Sequence, residues 1–358
     1  MRRNLLLLTF LLLAAKIYSQ NNAGSINSLI SNTSISGQWF LGLSYDTDAE
    51  ISSFNLKRGY FTIKTKLSDV LSVRYTQDIT TDREGSDIGN VEMRLKYLYL
   101  KLDMKNIEAL RNTYFEFGMV HRPWLDFEQK LNGYRVQGKM FTDRYNLTTS
   151  ADFGITYEGL LGGEIDRDYQ ENVSKDYPGR LGSFAIGVFN GGGYHALEKN
   201  NNKVLEGRLT LRPLPELVPG VQLSYSFSYG KTNTVLSNGD YSLNLLYLST
   251  QSRYHKLMGT WYTGKGSYDD DYMDQDGFSY KNDGYSVFAE IFIPETGLSL
   301  FSRYDKFISH QESDVEQDTF ISGLTYTFIK NKVLIHYDQN KKNEQLVRTV
   351  ELALEINF

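Results

Sequence analysis

Val350-Glu-Leu-Ala-Leu-Glu-Ile-Asn-Phe358 alternates without interruption to the last residue. Val350, Leu352, Leu354, Ile356 and Phe358 share one face of an extended strand. Glu351, Ala353, Glu355 and Asn357 share the other, because successive side chains point to opposite sides. Such a strand divides an apolar medium from water. The pattern recurs upstream. Trp39, Leu41, Leu43 and Tyr45 alternate with Gln38, Phe40, Gly42 and Ser44, and Val221, Leu223, Tyr225, Phe227 and Tyr229 with Gln222, Ser224, Ser226 and Ser228. Beyond Tyr97 the apolar residues Leu98, Leu100 and Leu102 change parity, which predicts a bulge or a shifted register.

About sixteen such strands fit the chain, at roughly 21 residues per strand and connection, the size of a barrel that encloses an aqueous channel. The expected fold is therefore all-β: a transmembrane antiparallel β-barrel of about 16 strands, with tight turns at one end and long external loops at the other. Ser68-Asp69, Pro294-Glu-Thr-Gly297 and Lys330-Asn331 are tight, whereas 79–89, 122–150, 191–201, 231–239, 265–283 and 309–316 are roomy. One stretch breaks the rule. Residues 163–180 should be a short turn but are long and charged, so either a plug-like excursion or a miscounted strand lies there.

The amino terminus agrees with export. Arg2 and Arg3 precede the apolar run from Leu5 to Ala15, followed by Lys16-Ile-Tyr-Ser-Gln20. This reads as a signal peptide over 1–19, too short for a membrane-spanning helix, which needs about 20 apolar residues. A periplasmic segment over 20–35 and the barrel over 36–358 follow. A terminal Phe on such a strand resembles the export signal of Gram-negative outer-membrane barrels. That likeness makes Phe358 the membrane-insertion signal and implies the barrel-assembly machinery as a partner. Outer-membrane location also implies contact with its lipid and lipopolysaccharide.

Composition removes several function classes. The 358 residues contain no Cys, which excludes disulfides, thiolate metal sites and cysteine nucleophiles. Gly (30), Tyr (26) and Phe (20) are abundant and Pro (6) is scarce, as suits many strands joined by small-residue turns. The formal charge of −5 becomes −8 without Arg2, Arg3 and Lys16, which argues against nucleic acid as a partner.

Several patches resemble the phosphate-selective porin family, the O and P type porins. They are Phe117-Gly-Met-Val-His-Arg-Pro-Trp124, Asp152-Phe-Gly-Ile-Thr-Tyr-Glu-Gly159 and Gly187-Val-Phe-Asn-Gly-Gly-Gly-Tyr194, with Gly207-Arg-Leu-Thr-Leu-Arg212 after the last. Phe301-Ser-Arg-Tyr-Asp305 and Gly323-Leu-Thr-Tyr-Thr-Phe328 fit its closing strands. The resemblance implies a homotrimeric channel for passive diffusion of small anionic solutes, with basic residues lining the bore and no cofactor.

Parity puts Arg58, Lys64, Lys66, Arg74, Arg94, Lys96, Arg208, Arg212 and Arg303 on the lumen side. Cations there attract anions, and they also simply wet a lumen, since Arg or Lys facing lipid at the midplane costs about 2–4 kcal/mol. Asp78, Glu92, Glu116, Glu206, Glu351 and Glu355 share that side. Residues 122–150 form the third external loop by strand count, and the expectation is that it folds inward as the constriction. It carries Arg122, Lys130, Arg135, Lys139 and Arg144 against Asp126, Glu128 and Asp143. It also carries Trp124, Phe127, Tyr134, Phe141 and Tyr145, more aromatic surface than a solvated loop needs.

No catalytic or metal-ligating set emerges. The Asp269–Gly277 stretch fails the EF-hand spacing at Tyr272 and Asp283, and reads as a solvated external loop. His121, His195, His255, His310 and His336 are scattered, and neither a P-loop nor a Gly-x-Ser-x-Gly elbow occurs. The sequence points to a channel and away from an enzyme. Its rivals are an outer-membrane barrel hydrolase acting on lipids and a pore-less barrel serving as adhesin or scaffold. A secreted β-sandwich is disfavoured by the number of strands.

Overall fold

The computed structural model describes residues 30–82, 88–236 and 239–358. The expected signal peptide at 1–19, and the expected periplasmic segment as far as residue 29, lie outside them.

Sixteen antiparallel strands close into one barrel in which each pairs with its chain neighbours and the first pairs with the last. They are β1 (Thr33–Asp46), β2 (Ile51–Lys66), β3 (Leu71–Thr81), β4 (Val91–Asp103), β5 (Leu110–His121), β6 (Ala151–Leu161), β7 (Gly182–Phe189) and β8 (Val204–Leu211). The second half comprises β9 (Gln222–Lys231), β10 (Asp240–Gln251), β11 (His255–Lys265), β12 (Lys281–Phe292), β13 (Leu298–His310), β14 (Val315–Phe328), β15 (Asn331–Lys342) and β16 (Gln345–Asn357). Closure removes every free sheet edge, which is what lets strands cross a membrane. The seam is regular: Leu41 pairs with Leu354 and Leu43 with Leu352, all on the outward face. Phe358 extends it by exchanging backbone hydrogen bonds with Gly37 at 2.9 and 3.1 Å. Its ring lies over Gly37, in the space a Cβ there would enter.

Alternation does its expected work on the outside. Leu98, Phe117, Ile186, Leu209, Leu223, Leu246, Trp261, Val287, Leu324 and Leu352 are exposed and form an apolar outer belt. The inside departs from the expected pattern. On β10, Tyr241, Leu243, Leu245 and Tyr247 point inward and are fully buried, although Leu246 and Leu248 on the other face are apolar too. Phe288, Phe301, Phe307, Ile321 and Leu334 continue this inner apolar surface across β12–β15. It exists because the chain between β5 and β6 folds into the barrel and covers it.

Two bulges re-aim side chains. The β3–β4 register shifts at Thr76/Gln77, leaving Lys96 as the extra residue. Lys96 and Tyr97 are therefore both buried inside, and Leu98 and Leu102 return to the outer face. This is the parity change expected after Tyr97. The β1–β2 register shifts at Phe40/Leu41, so Lys57 and Arg58 both point inward.

The 163–180 stretch lies between β6 and β7 and leaves the strand count intact. It contains a helix, Arg167–Asn172, whose first turn is capped by Asp166 accepting from the Tyr169 N–H at 3.0 Å. Arg212 donates to the carbonyls of Tyr177, Gly179 and Pro219 and anchors the excursion at the barrel end.

Candidate constriction and lumen wall

The inward loop starts where β5 stops. Pro123 opens a helix, Pro123–Asn132, that ends on Gly133 in the left-handed conformation (φ 72°), whose N–H bonds to the Gln129 carbonyl. Arg122 donates Nε to Glu206 Oε2 at 2.8 Å, and the Trp124 N–H reaches Oε1 of the same carboxylate at 3.1 Å. One buried acid on β8 thus satisfies both the cation before the helix and a free N–H of its first turn. Arg208 donates to the Pro123 carbonyl at 3.1 Å, with its guanidinium 4.2 Å from the Phe127 ring and 4.8 Å from that of Tyr177. Tyr177 is from the 163–180 excursion, and its hydroxyl bonds Asp126 at 2.7 Å. The excursion therefore props the loop from below.

Beyond Gly133 the loop runs along the far wall. The Tyr134 hydroxyl donates to Glu290 at 2.6 Å and lies 3.0 Å from Thr325, and its ring is 4.4 Å from Phe301. Gln137 bonds Asp338 at 3.1 Å, and Arg303 donates to the Lys139 carbonyl at 2.8 Å. Tyr145 stacks on Phe307 at 4.9 Å, and the Tyr241 hydroxyl bonds the Leu147 carbonyl at 2.8 Å. Trp124, Leu125, Phe127 and Phe141 are at most 1 % exposed, so the loop is as firmly seated as a protein core. The third loop is folded inward, as its aromatics foretold. The acidic stretch expected to be solvated is partly a lid on it: Tyr272 donates to the Tyr145 carbonyl at 2.7 Å, and Asp271 accepts from Asn146 at 2.9 Å.

The loop's cations are all near acids. Arg122 is sealed against Glu206, and Lys130 is 2.7 Å from Asp126. Arg135 and Lys139 lie 3.9 and 3.6 Å from Asp143, and Arg144 lies 3.9 Å from Asp305 and from Asp338. Of the wall arginines, Arg303 grips Asp305 with two bonds of 2.8 and 2.6 Å. Arg208 and Arg212 face inward, but Arg208 donates to the loop and to the wall hydroxyls of Ser183 and Thr210, and Arg212 to the excursion and the Pro219 carbonyl. Burial pushes the carboxyl of Glu128 up to about 7, with Arg303 pulling it down and Asp305 pushing it up. Burial also opposes the charge on Asp126, but the Lys130 ammonium and the Tyr177 hydroxyl outweigh it and hold that carboxyl far below its usual range.

The wall of β2–β5 is different, because the loop leaves a cavity open against part of it. Lys96 donates to the Tyr60 hydroxyl at 3.0 Å and sits 4.3 Å above that ring. Arg74 bonds Thr76 at 3.0 Å and His121 at 2.9 Å, with its guanidinium 4.6 Å from the Tyr97 ring. Lys64 and Lys66 line a cavity of about 530 Å³ together with Arg74, Lys101, Lys130, Tyr99 and Tyr114. Among the described residues, none of Lys64, Lys66, Arg74 or Lys96 makes an ion pair with a carboxylate. Higher on this wall Arg58 and Arg94 share the buried Asp78, which also accepts from the Tyr194 hydroxyl at 3.1 Å.

The sequence reading missed Lys57, which bonds the Gln137 carbonyl at 2.9 Å and pairs with Glu351. Two consecutive cations in an alternating strand were the available sign of its bulge. Glu206, Glu290 and Tyr177 were missed as anchors of the loop, because nothing local marks a residue that bonds a partner across the barrel.

No family model and no curated protein sequence matches the chain. Solved structures do. OmpF of Salmonella typhi, in complex with daunomycin, superposes with a TM-score of 0.64 at 14% identity, over 91% of this chain and 97% of that one. An anion-selective porin from Comamonas acidovorans gives 0.61 at 12% identity, over 91% and 99%. The trimer form of OmpT, an outer membrane protein of Vibrio cholerae, gives 0.59 at 12% identity, over 91% and 99%. At these identities the likeness is one of fold: the chain is a sixteen-stranded barrel of the porin type.

Proposed function

We propose that this protein is an outer-membrane channel through which small solutes diffuse along the β2–β5 wall, with a preference for anions. One observation carries the reading. Lys64, Lys66 and Arg74 line the open cavity, and Lys96 is buried against the Tyr60 and Tyr97 rings. Arg74 and Lys96 are held by rings, hydroxyls and an imidazole, and among the described residues none of the four forms an ion pair with a carboxylate. Rings orient a cation without cancelling its charge. In a narrow bore with low-dielectric walls, uncancelled charge raises the local concentration of anions. The inward loop narrows the passage and, with its own cations neutralised, supplies little of the field.

Phosphate, suggested by the family resemblance, is one solute that fits this chemistry. Export by the 1–19 leader, insertion through Phe358 and the barrel-assembly machinery, contact with lipopolysaccharide and assembly as a homotrimer belong to the same proposal. The outer belt and the trimeric form of one similar structure support them. The reading is of a channel and not of an enzyme: Ser252 lies 3.0 Å from His255, but its hydroxyl also caps the backbone N–H groups of Tyr254 and His255 in a turn.

Planar-bilayer recording of the refolded protein tests the proposal. Stepwise conductance with a reversal potential displaced toward the anion side is expected in a salt gradient. Cation preference would remove the anion reading and leave the channel. Absence of conductance would remove both.

A further inference from the structure

His121 closes β5 immediately before the loop turns inward, and the channel described so far gives it no part. Its Nδ1 is 2.9 Å from Glu116 Oε2, and its Nε2 is 2.9 Å from Arg74 Nη1 and 3.7 Å from Asp126 Oδ1. The Tyr97 and Tyr99 rings lie 4.1 and 5.4 Å from the imidazole. A guanidinium has donors and no acceptor, so Nε2 must accept from Arg74, and the single ring proton sits on Nδ1 and goes to Glu116. The imidazole is thereby a neutral spacer between a buried acid and a cation. Asp126, the other acid in reach, is already taken by Lys130 and Tyr177. Among the described residues Glu116 forms no ion pair with Lys or Arg, although Lys101 is its cross-strand partner on β4 and the Tyr99 hydroxyl bonds both it and Arg74. It is the carboxylate that Arg74 would meet if the ring were gone.

We infer that His121 is a positioning residue for ion selection: by occupying Glu116 it stops Arg74 from collapsing into an ion pair, and it keeps that guanidinium's charge directed at the open cavity. The inference rests on the reading of the β2–β5 wall as the anion path. The groups facing the ring are Glu116 on its own strand, Arg74 on β3, Tyr97 and Tyr99 on β4, and Asp126 of the loop helix, with Lys130 behind it. An ion pair formed inside the bore would cancel both charges locally and remove one of the four cations that no acid neutralises.

The test is a double-mutant cycle read as reversal potential in a potassium chloride gradient at pH 8. Arg74→Gln should lower the anion-to-cation permeability ratio roughly twofold. His121→Leu should lower it to the same level, and His121→Leu in a Glu116→Gln background should have no effect, because the remaining acid in reach, Asp126, stays held by Lys130 and Tyr177. His121→Gln, able to donate to Glu116 and accept from Arg74, should keep the parental ratio. If His121→Leu yields no channels, His121→Asn, too short to reach Arg74, serves in its place. An unchanged ratio in the His121 variants, with a lowered ratio in Arg74→Gln, would overturn the inference and leave the anion path standing. An unchanged ratio in Arg74→Gln would overturn both. An equal effect of His121→Leu with and without Glu116 would show that the ring acts by packing alone, and would also overturn it.

Discussion

The two halves of this barrel's interior solve opposite problems with the same strand alternation. On β8 and β10–β15 the inward side chains are aromatic, aliphatic or ion-paired, and the loop after β5 lies against them as a second layer of core. On β2–β5 the inward side chains are tyrosines, acids and cations around an open cavity, and Lys64, Lys66, Arg74 and Lys96 among them form no ion pair with a carboxylate among the described residues. The first half is built to hold a segment still. The second is built to keep charge facing water. The contrast shows that a lumen-facing arginine is not by position a solute contact: Arg303 and Arg208 are fastenings, whereas Arg74 and Lys96 are bonded by neutral groups and not by carboxylates.

Breaking the fastened half should have the largest effect. Glu206→Ala leaves Arg122 buried without a counter-charge, which typically costs about 3–5 kcal/mol. The loop should lift from the wall, with a higher and noisier single-channel conductance and an earlier urea-unfolding transition in detergent. A smaller effect is expected of Tyr134→Phe, which removes the hydroxyl from Glu290 but leaves the ring beside Phe301. A loss of about 1 kcal/mol in the same unfolding measurement would fit one lost hydrogen bond to an acceptor that keeps Ser299 as a donor at 2.8 Å.

The free half is sharpened by a paired substitution. Lys96→Gln should lower anion preference while leaving the unfolding transition nearly unchanged, and Lys139→Gln should alter neither, because Asp143 already lies 3.6 Å from that ammonium. Equal shifts in reversal potential for the two variants would erase the distinction between the halves.

The smallest effect concerns pH. The Glu128 carboxyl is raised by burial from an ordinary 4.5 to about 7, so the folded loop favours its protonated form. Its contribution to stability is present in full below about 4.5 and is lost as pH rises through about 7. Unfolding should therefore come slightly earlier at pH 8 than at pH 5, and Glu128→Gln should flatten that difference.

How much of this could be read before the structure depends on the distance over which each feature is decided. The terminal strand, the sixteen-strand count and the change of parity after Tyr97 are written in neighbouring residues, and the structure reproduces them. The aromatics of 122–150 told that the loop needed a surface to cover. Which wall it covers could not be told, since Glu206, Glu290, Asp338 and Tyr241 each lie 80 or more residues from their loop partners.

The sequence by itself determined a closed barrel with an apolar outside, because alternation is a local property that every strand repeats. Only the tertiary structure decided which inward cations are neutralised and which are not. That depends on the acids brought opposite them by barrel closure and by the path of one loop, and charge cancellation is a matter of a few ångströms in space rather than of position along the chain.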